Sequence, residues 1–248
     1  MIENSRGRIP GRMSHIRRYG VSVCGRYVIA QDVDAYARFF GVDEIRTEML
    51  AANYNVAPTD SVYAVVDHES RKVLGAFRWG LIPFWAESPT GGRINARAES
   101  VAERAMFRDS FARRRCIIPA DGFYEWQQLE RGKLPHYIYL RDGSPMAFAG
   151  LWSTWRDPDT GNHIRSCAII TTKAPPSLAP IHGRIPVMLD ATVWDDWLDR
   201  TLIDPDRARS LIKPVPETAI TEHPVSTLVN DVRNNLPACV APLPDRSP

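Results

Sequence analysis

Cys24 is the residue whose position suggests the most unusual chemistry in this chain. It lies between an arginine-rich segment, residues 1–23, and the first apolar segment. If the chain began at Cys24, this residue would carry an α-amine and a thiol on adjacent carbon atoms. Such a pair condenses with an aldehyde and closes a five-membered thiazolidine ring, which an internal cysteine cannot do. The opened sugar of an abasic site in damaged DNA is such an aldehyde, and it is therefore a candidate substrate.

Two further residues are candidates for the proton transfers of that condensation. Glu125 lies between Tyr124 and Trp126, and an apolar wall raises the pKa of a carboxyl group because desolvation disfavours its charged form. His182 precedes Gly183 in a predicted loop, and histidine exchanges protons near neutral pH. Both are candidate general acid–base groups. A surface glutamate on an edge strand and a merely exposed histidine are the alternatives.

A polar face is predicted at residues 93–99. Arg93, Asn95, Arg97 and Glu99 alternate with smaller or apolar residues, and alternate side chains of an extended segment share one face. Two arginines on either side of an amide would suit a phosphate chain with a sugar between the charges. A solvated surface is the alternative.

Aromatic residues are concentrated in the segment 79–85, Trp-Gly-Leu-Ile-Pro-Phe-Trp. It places two large rings beside Pro83 in a predicted loop. One interpretation is a stacking platform for an unpaired base, since every base offers a π-face. A hydrophobic lid is the other.

Composition indicates a soluble globular protein, and we expect no metal and no cofactor. Of the 248 residues, 44% are hydrophobic and 24% charged, which is ordinary for such proteins. No apolar run is long enough to cross a bilayer. The four cysteines have no metal-ligand spacing with the histidines, and reduced thiols in a cytoplasmic protein are expected. Cys116 and Cys167 lie in apolar runs and are predicted to be buried.

The charge is divided unevenly along the chain. Residues 1–23 carry five arginines and one acid, and the remaining 225 residues carry 26 basic and 28 acidic side chains. Nucleic acid would therefore bind a local basic patch of the body rather than a global positive field. Residues 1–23 have three interpretations: a disordered tail, a basic arm that contacts phosphates, or an artefact of the assigned start, with Val23 as the initiating residue.

The order of predicted elements indicates an α+β class with mostly antiparallel pairing, because strands follow one another through short turns and few helices intervene. No linker divides the body, so one domain is expected over residues 24–248. A loop is predicted at 53–59. Predicted helices cover 32–40, capped by Asp32 and ended by Gly41, and 102–115, 192–200 and 206–212. Predicted strands cover 27–30, 61–67, 72–79, 116–119, 123–129, 135–141, 146–155, 164–172 and 187–189.

Eight segments, taken together and in this order, resemble the SRAP family, the SOS-response-associated peptidase-like or abasic site processing proteins. The resemblance extends from Cys24 to about Val225. The segments are Cys24-Gly-Arg-Tyr, Asn55-Val-Ala-Pro-Thr, Trp79-Gly-Leu-Ile-Pro-Phe-Trp, Ile94-Asn-Ala-Arg-Ala-Glu, Arg115-Cys-Ile-Ile-Pro-Ala-Asp-Gly-Phe-Tyr-Glu-Trp, Phe148-Ala-Gly-Leu-Trp, Ile170-Thr-Thr and Ile181-His-Gly-Arg-Ile-Pro-Val-Met-Leu.

The resemblance implies a compact α+β domain with a barrel-like β core, peripheral helices and a groove for single-stranded DNA. It implies that Cys24 is the nucleophile, Asn95 orients the sugar, Glu125 is the acid–base and His182 assists proton transfer. We expect a cytoplasmic monomer that associates with the nucleoid during DNA damage, since the sequence gives no sign of oligomerisation. The implied DNA-contacting residues are Arg97 at the phosphates, Trp85 and Pro58 near the bases, and Asn55, Arg26, Trp126 and Thr171.

One departure from the family pattern bears on the chemistry. In the family the cysteine follows the initiator methionine directly, whereas here it follows Val23, so its α-amine is held in an amide. Two competing functions follow. In one, Cys24, His182 and Asn95 form a thiol-peptidase constellation that cuts before Cys24. In the other, Cys24 is inert and the domain binds DNA without a covalent bond.

Overall fold

The computed structural model describes residues 24–213 and 215–244, so the predictions for residues 1–23 lie outside the described residues. The helices among these residues are α1 (Val33–Phe40), α2 (Arg108–Arg113), α3 (Trp194–Leu198) and α4 (Pro205–Ser210). The strands are β1 (Tyr27–Ile29), β2 (Glu44–Ile45), β3 (Asn53–Val56), β4 (Ser61–His68), β5 (Arg71–Trp79), β6 (Asn95–Arg97), β7 (Arg115–Ala120), β8 (Gly122–Gln128), β9 (Lys133–Leu140), β10 (Met146–Arg156), β11 (His163–Lys173), β12 (Arg184–Pro186) and β13 (Ile220–Pro224).

Five strands close into a barrel at the centre of the domain. β4 pairs with β5 and with β7, β7 pairs with β10, and β10 pairs with β11, all antiparallel. The ring closes where β11 runs parallel to β5, with Cys167 opposite Trp79. The predicted α+β class with a mostly antiparallel, barrel-like core is therefore confirmed. Cys116 and Cys167 lie fully buried in this barrel, as predicted.

A second sheet packs beside the barrel, in the strand order β13-β9-β8-β1-β3. Tyr27 of β1 lies opposite Phe123 of β8, and both rings pack edge-on against Phe148 of the barrel. Gly122 is needed where β8 and β9 approach each other, because a Cβ atom there would lie 2.5 Å from Cζ of Tyr137. The two sheets therefore share one apolar core, and β1 and β8 face the barrel.

Helix α1 agrees with its predicted bounds and has clear end signals. The Asp32 side chain accepts a hydrogen bond from the Asp34 N–H at 2.8 Å, which caps the first turn. Gly41 ends the helix with φ of +63°, a left-handed conformation that glycine adopts without steric cost. Val33 and Phe40 face the core, so the helix covers one side of the barrel.

The long helix predicted at 102–115 is wrong. The chain instead makes two separate turns, in which Arg104 N bonds to Ser100 O and Arg108 N bonds to Arg104 O, before the short helix α2. Phe107 precedes α2 without a side-chain cap. The Arg115 side chain is buried and donates to four backbone carbonyl groups, including those of Phe111 and Trp197. These tertiary bonds fix Arg115 at the start of strand β7, which agrees with the strand predicted at 116–119.

Three further boundaries differ from the predictions, two of them because pairing across the fold overrides local preference. Residues 53–56 were predicted as loop but form β3, whose Val56 lies opposite Tyr27 of β1. The strand predicted at 187–189 lies three residues earlier, as β12, and Met188 makes only an isolated bridge to Phe148. Residues 192–200 divide into a 3-10 turn and α3.

No helix among the described residues is long and apolar enough to span a membrane.

Candidate active site

The candidate site lies between the second sheet and the edge of the barrel. Cys24 precedes β1, and Glu125 lies in the middle of β8, so the second sheet supplies both. Asn95 begins β6, which runs parallel to β11 with Asn95 opposite Ile169. His182 lies two residues before β12, which pairs with the end of the same strand β11. The fold therefore brings together the four predicted catalytic residues from four distant parts of the sequence.

The shortest polar contact of the site joins Cys24 to Glu125. The Cys24 N–H donates to Oε1 of Glu125 at 2.7 Å, and both residues are almost fully buried. The carboxyl group thus sits at the nitrogen atom that would be the α-amine of a chain beginning at Cys24. A general base must lie within hydrogen-bond reach of the proton that it takes, and this distance meets that condition.

Burial controls the protonation of both groups. Desolvation raises the pKa of Glu125 to about 8, and the Cys24 N–H and the charge of Lys133 oppose this rise. Burial also raises the pKa of the Cys24 thiol, and the nearby Glu125 charge raises it further. The raised pKa agrees with the prediction, but its cause is burial, since Tyr124 and Trp126 lie on the opposite face of β8 from Glu125. The site disfavours a free thiolate.

His182 lies beside the carboxyl group without bonding to it. Its Nδ1 is 3.8 Å from Oε1 of Glu125, which exceeds hydrogen-bond distance. The same Nδ1 lies 3.0 Å from the carbonyl oxygen of Arg184 and 3.2 Å from its backbone nitrogen. This backbone contact fixes the orientation of the ring. The other ring nitrogen, Nε2, makes no hydrogen bond with the part of the chain that the structure describes.

Asn95 reaches the cysteine from the opposite side. Its Nδ2 donates to the carbonyl oxygen of Cys24 at 3.4 Å. Cys24 is thus held at its nitrogen by Glu125 and at its carbonyl group by Asn95. Its backbone has φ of +44°, in the left-handed region that residues other than glycine rarely adopt. Such a conformation stores on the order of 1–3 kcal/mol of strain.

An open groove of about 490 Å³ adjoins Asn95. Arg93, Arg97 and Arg104 line it together with Phe107. None of these three guanidinium groups forms an ion pair within residues 24–213 and 215–244. The alternation predicted for this segment is present, because Ala96 and Ala98 are buried whereas Arg93 and Arg97 are exposed. Arg104 was not identified from the sequence, since it lies in the segment predicted as helix.

The aromatic segment divides into a core residue and an exposed tip. Trp79 is buried and packs edge-on against Tyr27, with ring centroids 4.9 Å apart. Phe84 and Trp85 are 51% and 54% exposed, so they do not form a packed lid. Pro58, the other residue predicted near the bases, is exposed in the loop after β3. Trp85 and Pro58 are therefore accessible to a ligand.

Four other predicted DNA-contacting residues are engaged within the protein. Asn55 is 1% exposed, and its Nδ2 donates to carbonyl groups in residues 229–234. Arg26 donates to Oδ1 of Asn55 and to the carbonyl oxygen of Val229. Trp126 donates to Oδ1 of Asn230, and Thr171 is buried against Arg184. Contacts of these four residues with DNA stay predictions.

Sequence reasoning missed two supports of the site. Arg184 forms a bidentate ion pair with Glu99 and donates to the carbonyl oxygen of Thr171, and it thereby joins β12 to the segment after β6. Residues 227–235 cover Arg26 and Asn55. The Asn230, Asn234 and Asn235 side chains of this segment, unusual in so short a stretch, were the available signal. No group of side chains in the described residues has the composition of a metal site.

Comparisons with known proteins agree with this architecture. Residues 23–232 match the family described as SOS response associated peptidase (SRAP). The abasic site processing protein YoqW of Bacillus subtilis (strain 168) is 39% identical over 222 residues, covering 88% of this chain and 99% of that protein. The abasic site processing protein HMCES of Xenopus tropicalis is 37% identical over 196 residues, covering 69% of this chain and 58% of that protein. A crystal structure of a Bacteroides thetaiotaomicron protein superposes with a TM-score of 0.79 at 26% identity, covering 89% of this chain and all of the other.

Proposed function

The chain belongs to the SOS response associated peptidase (SRAP) family, and from this premise we propose that it processes abasic sites in single-stranded DNA. In the proposed reaction Cys24, as the first residue of the mature chain, forms a covalent thiazolidine with the opened sugar. The observation that carries the proposal is the 2.7 Å contact between the Cys24 nitrogen and Glu125. The relatives named abasic site processing proteins support the same substrate.

The amine reacts first because the thiol is held in its protonated form. A terminal α-amine has a pKa of about 7.7 to 8.0, and Glu125 has a pKa of about 8. Glu125 lies at hydrogen-bond distance from this nitrogen, so it is the base that takes a proton from the ammonium group. The amine nitrogen then attacks the aldehyde carbon and gives a carbinolamine. Glu125 returns the proton to the departing hydroxyl group, water leaves and an imine forms.

Ring closure follows from the second nucleophile on the same residue. The thiol sulfur adds to the imine carbon, and the thiol proton passes to the nitrogen atom, with Glu125 and Nε2 of His182 as the available carriers. The net change is loss of one water molecule. Asn95 holds the Cys24 carbonyl group, so it restrains the residue during both additions. If the imine instead loses a C2′ proton, the 3′ phosphate departs, and a weak lyase activity results.

Single-stranded DNA is the proposed partner because the exposed arginine and aromatic side chains suit an unpaired strand. Arg93, Arg97 and Arg104 offer unpaired charges to phosphates along the groove. Trp85 and Pro58 are exposed where a base can stack on them. The net charge of −2 over residues 24–248 gives no general attraction for DNA. The groove must therefore supply the binding.

Self-processing is a second proposed activity, and the backbone strain at Cys24 favours it. Cutting the Val23–Cys24 bond removes the constraint on φ of Cys24, which is +44° in the intact chain. The Cys24 sulfur would attack the Val23 carbonyl carbon. The C–N bond would break as protonated Glu125 gives its proton to the departing amine, and the resulting carboxylate would take the proton that the Cys24 thiol loses. Water would then hydrolyse the thioester and restore the thiol. This reaction yields the chain terminus that the cross-linking chemistry requires.

A denaturing gel with three N-terminal variants tests the main proposal. A chain beginning at Cys24 should stay bound to an abasic single strand after denaturation. The Cys24→Ser chain keeps the amine but lacks the sulfur, so it should stay bound only after borohydride reduction of the imine. The chain that begins at Cys24 but carries an acetylated terminus has no free amine and should not cross-link. Equal cross-linking by the acetylated chain would show that a nucleophile other than the Cys24 amine reacts. Absence of cross-linking in all three chains would favour reversible binding.

Mass spectrometry of the 248-residue chain tests self-processing. The unaltered chain should lose residues 1–23, whereas Cys24→Ala and Glu125→Gln should keep them. Loss of the segment from the Cys24→Ala chain would show that another protease removes it.

A further inference from the structure

The aromatic tip that carries Trp85 is a rigid tight turn rather than a loose loop. The Ala86 N–H donates to the Pro83 carbonyl oxygen at 3.0 Å, so Phe84 and Trp85 are its two central residues. The turn is fixed on both sides. The Ile82 N–H donates to Oγ of Ser166, and the ring N–H of Trp155 donates to the Ala86 carbonyl oxygen.

Phe84 is exposed although the turn is anchored. It is 51% exposed and has no polar atom that needs water. The Arg114 guanidinium lies over its ring, with Cζ 5.6 Å from the centroid. Arg114 forms no ion pair with any residue that the structure describes. An aromatic ring and an uncompensated cation are thus held together at the surface by an ordered backbone.

The turn is joined directly to the arginine groove. Leu81 and Arg93 exchange both backbone hydrogen bonds, at 2.9 and 3.0 Å, so the segment that ends in the groove begins beside the turn. A DNA strand bound at Arg93 therefore lies next to the segment that carries Phe84 and Trp85.

We propose that Phe84 and Arg114 form a stacking site for one nucleobase of the bound single strand, separate from Trp85 and outside the abasic pocket. A nucleotide satisfies both groups at once, because its base has a π-face for the ring or the guanidinium plane and its phosphate neutralises the cation. An apolar peptide would bury the Arg114 charge without a partner. This inference rests on the proposed binding of single-stranded DNA, and it adds a contact that the cross-linking chemistry does not need.

Length-dependent binding tests the site. The 248-residue chain is titrated with strands that carry a tetrahydrofuran analogue, which has no aldehyde, so that binding stays reversible. The strands are lengthened one nucleotide at a time on either side. For the unaltered chain, one added nucleotide should raise affinity about tenfold, the size of a base–aromatic stack. Phe84→Ala should lose this step, Phe84→Trp should keep it, and Arg114→Gln should reduce it.

Fluorescence identifies the nucleotide concerned. A 2-aminopurine at the added position should be quenched by the unaltered chain and by Phe39→Ala, an exposed phenylalanine of α1 that serves as the control. Quenching should be lost with Phe84→Ala, whose melting temperature should equal that of the unaltered chain. An unchanged affinity step and unchanged quenching in Phe84→Ala would overturn the stacking site while the proposed function stands. Failure of the unaltered chain to bind any of the strands would overturn both.

Discussion

The backbone nitrogen of Cys24 lies 2.7 Å from Oε1 of Glu125. Since Glu125 is in the middle of β8 and Cys24 precedes β1, the pairing of these two strands sets the distance. The contact gives a buried carboxyl group a position beside the one backbone nitrogen that becomes an amine if the chain starts at residue 24. Cys24 and Glu125 are therefore already in contact while the Cys24 nitrogen is part of an amide.

The stability of the chain should depend on the protonation of Glu125. Folding raises the pKa of this group from 4.5 to about 8. Its protonated form is favoured in the folded state, so its contribution is full below pH 4.5 and is lost as the pH rises through about 8. Relative to Glu125→Gln, the free energy of unfolding should fall by on the order of a few kcal/mol over this interval. Urea titrations of both proteins at a series of pH values measure this difference, and a difference that does not vary with pH would contradict the raised pKa.

Binding through the groove should weaken with salt in proportion to its arginines. Removal of Arg93 and Arg97 should reduce the slope of log affinity against log salt by about 0.7 per arginine, the value for single strands. Arg71 is the control for a charge outside the groove, since it lies at the start of the nine-residue strand β5, away from Leu81, where it pairs with Glu44. Fluorescence anisotropy at several salt concentrations gives the slopes. An equal effect of Arg71→Ala would show that overall charge, rather than the groove, governs binding.

Asn95 should affect the rate of cross-linking more than DNA affinity. Its bond to the Cys24 carbonyl group restrains the nucleophile, and loss of one hydrogen bond of about 1–1.5 kcal/mol slows a step on the order of tenfold. In chains that begin at Cys24, Asn95→Ala should therefore lower the rate at saturating DNA. A change in the DNA concentration for half-maximal rate alone, with the saturating rate intact, would assign Asn95 to binding.

Asn55 should contribute to the stability of the fold, in addition to any contact that it makes with DNA. Its Nδ2 faces the carbonyl oxygens of Val229, Asp231 and Asn234. Asn55→Asp replaces this donor by an acceptor and should lower the free energy of unfolding by about 2–3 kcal/mol. Urea unfolding measures the loss, and hydrogen exchange should show faster exchange in residues 227–235. If Asn55→Asp is as stable as the unaltered chain, Asn55 does not stabilise the fold and its predicted role is DNA contact alone.

The sequence predicted those features that depend on a residue and its neighbours along the chain. Asp32 and Gly41 predicted the ends of α1. The raised pKa of Glu125 was also predicted, but its cause is burial by the fold rather than the adjacent Tyr124 and Trp126, which lie on the opposite face of β8. Closure of the barrel by β11 against β5 was not readable, because the paired residues Cys167 and Trp79 are far apart in the chain. The burial of Asn55 under residues 227–235 was missed for the same reason.

The thiol count of the cross-linked protein tests the central claim most directly. An imine and a thiazolidine have the same mass, but only the thiazolidine consumes the sulfur of Cys24. The chain contains four cysteines, all free in the described structure. After reaction with an abasic strand and denaturation, alkylation should modify three of them, with peptide mapping showing Cys24 as the unmodified one. Alkylation of all four, in an adduct that nevertheless survives denaturation without reduction, would contradict the thiazolidine.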